Sequence, residues 1–380
     1  MAIDSRAVLE SRVQAECDEL ARVAKYLELE VLKDVFEPGD ANTLRDQLGD
    51  AAWALREALT KNGDSAWVAF ELAEPDARRL RAEVFALLQG RLFSAAELDD
   101  GISAAARQLL KQVQSRCSVD RPVLVTFSPD PESVDHTIGL IRLRFPGTTI
   151  WDLPFAVHEF GHHAVRELPH VNAAHRPERP LLELITGDYG VKAGLTEPHA
   201  HELLADAFAT FALGPTYPYA CTARRINATK LTADTTTHPS WHRRMTVMLA
   251  TLHRMTAEYD NTRYADTATE TVLPFYRSLA GPDPAPPVDQ RALETFARKV
   301  VERLRRHARG LAYDDADKAV LVNTLLGKED SLPADLPAGA HAMAVVDAAW
   351  RWWRQYPTAT DDDRHRVNTL AIDFCRTTNG

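Results

Sequence analysis

Cysteine is scarce in this chain. Its four copies, Cys17, Cys117, Cys221 and Cys375, are scattered over 380 residues without C-x-x-C spacing, which excludes a disulfide framework or a thiolate zinc site and reads as four reduced thiols. No run of about 18 apolar residues is present to span a bilayer. The opening MAIDSRAVLESRVQAECDEL intersperses Asp, Arg and Glu from its fourth residue onward, which the apolar segment of a signal peptide would not tolerate. The expectation is a soluble, cytoplasmic protein with no membrane partner. A surplus of basic residues is also missing: 44 Lys and Arg face 54 Asp and Glu, for a net charge of −10, so nucleic acid is excluded as a partner. Arg303-Leu304-Arg305-Arg306 is a short basic cluster that reads as a solvated helix face. Repeats and low-complexity segments are absent too.

What is present is an ordinary globular balance, 45% hydrophobic and 26% charged, on a chain long enough for two or three subdomains. Up to about Cys117 the apolar residues recur at helical spacing. Leu9, Val13, Cys17, Leu20, Ala24, Leu27 and Val31 form one stripe and Leu44, Leu48, Ala52, Leu55 and Leu59 a second. A third helix is expected after Pro75, with Leu80, Val84 and Leu87, and a fourth from Ile102 to Val113. These carry no chemistry and read as a bundle buttressing the rest. The period then changes. Residues 122–127 and 138–145 read as strands; Ile141, Leu143 and Phe145 alternate with Arg142 and Arg144, which predicts an edge strand able to hold an extended peptide, or a plain hairpin. Beyond about Asp260 helices return, separated by Pro-rich stretches of which 281–287 is the best linker candidate. Met343, Val346, Trp350 and Trp353 make a buried stripe there, from which Trp352 departs and could face a partner.

The chemistry starts at Trp151 to Leu168, which contains His158-Glu159-Phe160-Gly161-His162. On a helix, residues four apart share a face, so both imidazoles can meet one metal ion. Glu159 then lies beside the metal as a base for water rather than as a ligand. Leu153, Val157, Phe160, Ala164 and Leu168 form one apolar stripe, while Phe155 and Val165 flank the histidines. Both faces therefore read as buried, as a strongly polarising metal requires. His163, His170 and His175 read as surface or loop residues. The stretch 196–213 reads as a helix with Thr196 as N-cap and Pro198 in its first turn. Almost all of it is apolar except Glu202 and Asp206, four apart. Burying two carboxylates without partners costs several kcal/mol each, and a metal with its histidines supplies partners. Glu202 is then the third ligand, with His199 and His201 as competitors. Asp206 would accept a hydrogen bond from the second nitrogen of a ligand histidine. Further on, THPSWHRRM at 237–245 opens another helix. His238 there reads either as an oxyanion donor at the mouth of the site or as a loop histidine before a proline.

HEFGH at 158–162, HELLAD at 201–206 and THPSWHRRM at 237–245 resemble, in order and approximate spacing, the HExxH, ExxxD and HPxxxxR blocks of the gluzincin metallopeptidases, most nearly the HtpX-like group. The resemblance covers residues 138 to 258. It implies zinc on His158, His162 and Glu202, Glu159 as base, a transition-state role for His238 and Arg244 near it. Two departures stand against it: the HtpX-like enzymes are typically membrane-bound whereas this chain has no spanning segment, and Ser240 follows Pro239 where a second proline is usual. The expectation is a mainly α (α+β) protein, with a zincin-like core over 119–260, a small sheet against the HExxH helix, and helical regions over 1–118 and 261–380. Its expected activity is zinc-dependent hydrolysis of a protein or peptide. A zinc amide hydrolase acting on a small molecule and a metal-stabilised scaffold are the alternatives; Glu159 argues against the scaffold, which has no use for that carboxylate.

Overall fold

Helical periodicity governs most of the chain. The computed structural model describes residues 5–28, 38–95, 99–117, 119, 124–128, 133–135, 139–144, 148–168, 181, 194–226, 231–259, 263–280, 289–314, 316–327 and 340–377. The first three helices, α1 (Ser5–Tyr26), α2 (Pro38–Glu57) and α3 (Asp64–Ala95), bury most of the two stripes read from the sequence; Ala24 and Leu59 are partly buried, and Val31 lies outside the described residues. The third helix departs from expectation, since it starts at Asp64 and carries Pro75 in its interior. A proline there costs about 3 kcal/mol. Ala66 and Phe70 before it share the cluster of Ala77, Leu80, Val84 and Leu87 after it, and burying Phe70 alone contributes about 1.5–3 kcal/mol, so packing carries the helix through. The next helix, α4 (Ile102–Cys117), buries Leu109, Leu110 and Val113 in a second and larger cluster.

Between the two clusters lies a three-stranded sheet, β1 (Leu124–Ser128), β2 (Ser133–Asp135) and β3 (Leu140–Arg144), in the order β1-β3-β2. The predicted edge strand is therefore the central one, β3. It runs parallel to β1, pairing Leu124 with Leu140, and antiparallel to β2, pairing Val134 with Ile141, so the two predicted strands form no hairpin. The misleading signal was Arg142, whose charge suggested solvent but whose guanidinium pairs with Glu83 of α3. Leu140 faces the first cluster and Ile141 and Leu143 the second, so β3 is covered on both sides. Gly90 lets α3 approach this closely, because a Cβ there would collide with the Thr126 hydroxyl of β1.

The second cluster is built on α5 (Leu153–Glu167) and α6 (Glu197–Leu213), followed by α7 (Thr216–Arg224) and α8 (Trp241–Tyr259). Then come α9 (Arg263–Thr267), a π-helical turn (Ala268–Val272), α10 (Leu273–Ala280), α11 (Gln290–His307), α12 (Ala316–Leu326), α13 (Ala342–Gln355) and α14 (Asp361–Thr377). Helix α5 packs on α6, which packs in turn on α8 and α11; β2 and β3 lie against α5, and α4 joins it to α13 and α14. The chain is thus predominantly helical, with a small sheet against the HExxH helix.

Two side chains depart from the sequence reading. Trp352 is buried, because α13 is enclosed at nearly every position from Ala342 to Trp350 and a helix apolar all round has no face left for a partner. His163, expected on the surface, is buried in α5 with its ring tilted against Phe160. His170, His175 and the linker candidate 281–287 lie outside the described residues. All four cysteines are free and buried, and no described helix is long and apolar enough to cross a membrane.

Candidate metal centre

The 3-10 turn Ile150–Asp152 that leads into the HExxH helix is fixed by a capping box. The backbone N–H and hydroxyl of Thr149 donate to Asp152 Oδ2 at 3.0 and 2.6 Å, and Arg224 of α7 holds the same carboxylate at 3.1 and 3.0 Å. Pro154 occupies the first turn, where its missing N–H leaves no bond unmade. Thr196 caps α6 as expected, accepting from the backbone N–H of His199 at 3.4 Å, and Pro198 lies in its first turn. The two helices come together at Gly161. A Cβ there would stand 3.1 Å from Phe208 and 3.3 Å from the Ala205 backbone, so glycine sets how near Glu202 comes to the two histidines.

His158, His162 and Glu202 converge, each offering one ligand atom within 4.8 Å of the others. The two Nε2 atoms are 3.1 Å apart, and Glu202 lies 3.5 Å from the first and 3.2 Å from the second. Nitrogens bound tetrahedrally at zinc distances would be about 3.3 Å apart. Two imidazole nitrogens facing each other across that gap and backed by a partly buried carboxylate fit a zinc ion. Among the described residues this is the only group of three or more such side chains placed to hold a metal. His199 and His201 do not join it. The His199 ring donates to the Thr235 carbonyl at 2.7 Å, pinning the segment before α8 to α6, and the His201 ring donates to the His162 carbonyl at 3.3 Å.

Behind His158 stands a second layer. Its Nδ1 is 3.2 Å from Asp206 Oδ1 and 2.8 Å from the Tyr217 hydroxyl, which itself donates to Asp206 at 2.6 Å. With Nδ1 carrying the proton, Nε2 keeps its lone pair for a metal. Asp206 is 0% exposed, and Arg244 of α8 holds it with two hydrogen bonds, Nε at 2.8 Å and Nη2 at 2.7 Å. Burial opposes the charge on Asp206, but Arg244 and His158 outweigh it and hold the carboxyl well below its usual range. Arg244 is likewise opposed by burial and held charged by Asp206. The His158 value is lowered by burial yet pushed up to about 10 by Asp206 and Glu202. Burial works against Glu202 too, and the two histidines keep it ionised. His201 is pushed down to about 4, by burial first and then by the neighbouring His162 and Arg166, and Cys221 up to about 12 by burial and Asp206, so the first is a neutral imidazole and the second a neutral thiol.

These groups open on a cavity of about 440 Å³. Glu159 and His238 line it, as do Ser133 and Val134 of β2 and Arg225 of α7's C-terminal end. His238 is 55% exposed by side chain, with Nε2 3.7 Å from Glu202 and Nδ1 2.8 Å from the Thr237 hydroxyl. The structure therefore gathers all seven sequence-predicted residues, His158, Glu159, His162, Glu202, Asp206, His238 and Arg244, around one cavity or directly behind it. Arg244 grips a site carboxylate instead of facing solvent.

Tyr217 and Trp241 were missed. No spacing rule reaches Tyr217, which comes to Asp206 only because Gly214, with φ of 59°, turns the chain from α6 into α7. Trp241 could have been found, since it precedes Arg244 by three residues on one helix face and its ring lies 4.5 Å from the guanidinium carbon. No protein-family model matches the chain, and neither a curated protein nor a solved structure matches it.

Proposed function

We propose that the chain is a zinc-dependent metallopeptidase of the gluzincin type, most similar to the HtpX-like group, that hydrolyses peptide bonds in a protein or peptide substrate. The observation that carries this reading is the convergence of His158, His162 and Glu202 with Glu159 on the wall of the same cavity. Zinc held there would supply Lewis acidity, polarising a carbonyl and lowering the pKa of water toward neutrality. Glu159, the side chain next to His158, takes the proton of the attacking water and passes it to the leaving amine. His238 donates from Nε2 to the oxyanion that develops on the carbonyl; the Thr237 hydroxyl, donating to Nδ1, would leave that proton on Nε2. Tyr217, Asp206 and Arg244 orient His158. A peptide is favoured over a small amide by β2, an edge strand whose Ser133 and Val134 border the cavity, because an extended chain can add to such an edge with its scissile bond over the site.

The test is cleavage of a denatured protein pool by the purified chain, with and without a chelator, read as new termini. Glu159→Gln should retain zinc and fold and yield no new termini, because the amide keeps the volume and cannot act as a base. Chelator-insensitive cleavage, or a Glu159→Gln protein within a few-fold of the parent, would refute the reading.

A further inference from the structure

A second cleft, of about 680 Å³, opens where the C-terminal turns of α8 and α11 meet. It shares no lining residue with the metal cavity, and along α8 its first residue, Arg254, is about 15 Å of helix rise from Arg244. Four guanidinium groups line it, Arg254, Arg305, Arg306 and Arg309, against two carboxylates, Glu258 and Glu302. On a chain of net charge −10 this is a local reversal of sign.

Both carboxylates are already engaged. Glu258 pairs with Arg254 and, at 2.9 Å, with Arg305. Glu302 is shared by Arg298 at 3.1 Å, Lys299 at 2.8 Å and Arg254 at 3.7 Å. Arg306 and Arg309 have no carboxylate partner among the described residues. Two residues of the cleft wall also carry an unsatisfied donor: Arg254 Nε and the Tyr259 hydroxyl are both buried and without a hydrogen-bond partner among the described residues. Basic residues in the last turn of a helix complement its dipole, which accounts for Arg305 and Arg306 one by one. It does not account for Arg309, beyond the helix end, nor for two buried donors left without a partner in the same wall.

The complement to this wall is a compact group with several acceptor oxygens, no donors and more than one negative charge. A carboxylate has too few of each, whereas phosphate matches the guanidinium fork. A polynucleotide is disfavoured because the cations surround one cleft and do not form a stripe, on a chain that is acidic elsewhere. We propose that this cleft binds the phosphate or pyrophosphate group of a small molecule. The inference is independent of the activity of the metal centre.

Calorimetric titration of the purified full chain with inorganic phosphate and with pyrophosphate, against sodium chloride at matched ionic strength, tests it. Saturable binding of at least one anion is expected. The double substitution Arg306→Ala and Arg309→Ala removes two exposed side chains with no ion pair, so it should weaken that binding at least tenfold with the thermal midpoint unchanged. Tyr259→Phe should weaken it less. If adenosine diphosphate displaces pyrophosphate the source is a nucleotide, and if it does not, a smaller phosphate; either supports the site. The proposal is overturned if neither anion binds beyond the chloride effect, or if the double variant binds as the parent does. It is equally overturned if binding survives the double substitution and disappears in His158→Ala, since the anion then sits on the metal.

Discussion

Arg244 holds Asp206 through both Nε and Nη2, at 2.8 and 2.7 Å, in a setting where the carboxylate is wholly buried. The same carboxylate lies 3.2 Å from Nδ1 of His158. A residue of α8 therefore reaches the HExxH helix through one side chain of α6, and the three sequence blocks close into a single hydrogen-bonded unit.

Removing Arg244 should accordingly act first on the fold. Arg244→Ala leaves Asp206 charged and buried with only Tyr217 and His158 beside it, and breaking such a pair costs about 3–5 kcal/mol. Urea denaturation is the measurement. Arg244→Lys keeps the charge without the fork and should lose less; equal stability of parent and Ala variant would show the pair to be structurally idle.

Tyr217→Phe separates orientation from stability. The hydroxyl donates one hydrogen bond to Asp206 and accepts one from His158, a stability loss of about 1.5–3 kcal/mol for the bond to the charged carboxylate and about 1 kcal/mol for the other. Groups that orient metal ligands typically contribute about 10–100-fold in metal affinity or activity. Zinc competition against a chromophoric chelator should register the change, and an unaltered affinity would reduce Tyr217 to packing.

Gly161→Ala tests the approach of the two metal-bearing helices. The added methyl meets Phe208 at 3.1 Å and the Ala205 backbone at 3.3 Å, and overpacking of this kind costs about 1–3 kcal/mol. Backbone cannot swing aside, so α6 must move and carry Glu202 with it. Zinc affinity should fall together with stability. His158→Ala and His162→Ala, by contrast, should empty the site outright by elemental analysis.

The convergence of His158, His162, Glu202 and Asp206 was legible because it follows local rules: four-residue spacing puts His158 beside His162, and two carboxylates on an otherwise apolar helix demand partners; His238 and Arg244 came from the resemblance of the third block. Where the reading failed, a distant residue had changed the meaning of a local signal. Arg142 looked solvated because its partner, Glu83, lies far back in the chain on α3, and that misplaced β3 at the sheet edge. Pro75 looked like a helix start because the packing that holds α3 through it is tertiary. Tyr217 was invisible, its place near His158 being set by a turn at Gly214 and not by any period in the sequence.

His238 is the residue whose substitution best separates a working hydrolase from a metal-bearing scaffold. It is the most exposed of the proposed active groups, yet it is oriented: its backbone N–H donates to the Thr235 hydroxyl at 2.9 Å, its carbonyl accepts from the Thr235 N–H at 2.8 Å, and His199 ties Thr235 to α6. An oxyanion donor acts once the carbonyl begins to become tetrahedral, so His238→Ala should lower kcat by roughly 100- to 1,000-fold with little change in KM. Zinc content should be unchanged, because His238 lies outside the three-residue group. Thr237→Val should show part of the same kcat loss, since it removes the hydroxyl beside Nδ1 and leaves the imidazole in place. An unaltered kcat in His238→Ala would make it a loop histidine, whereas loss of zinc would make it a ligand in place of Glu202.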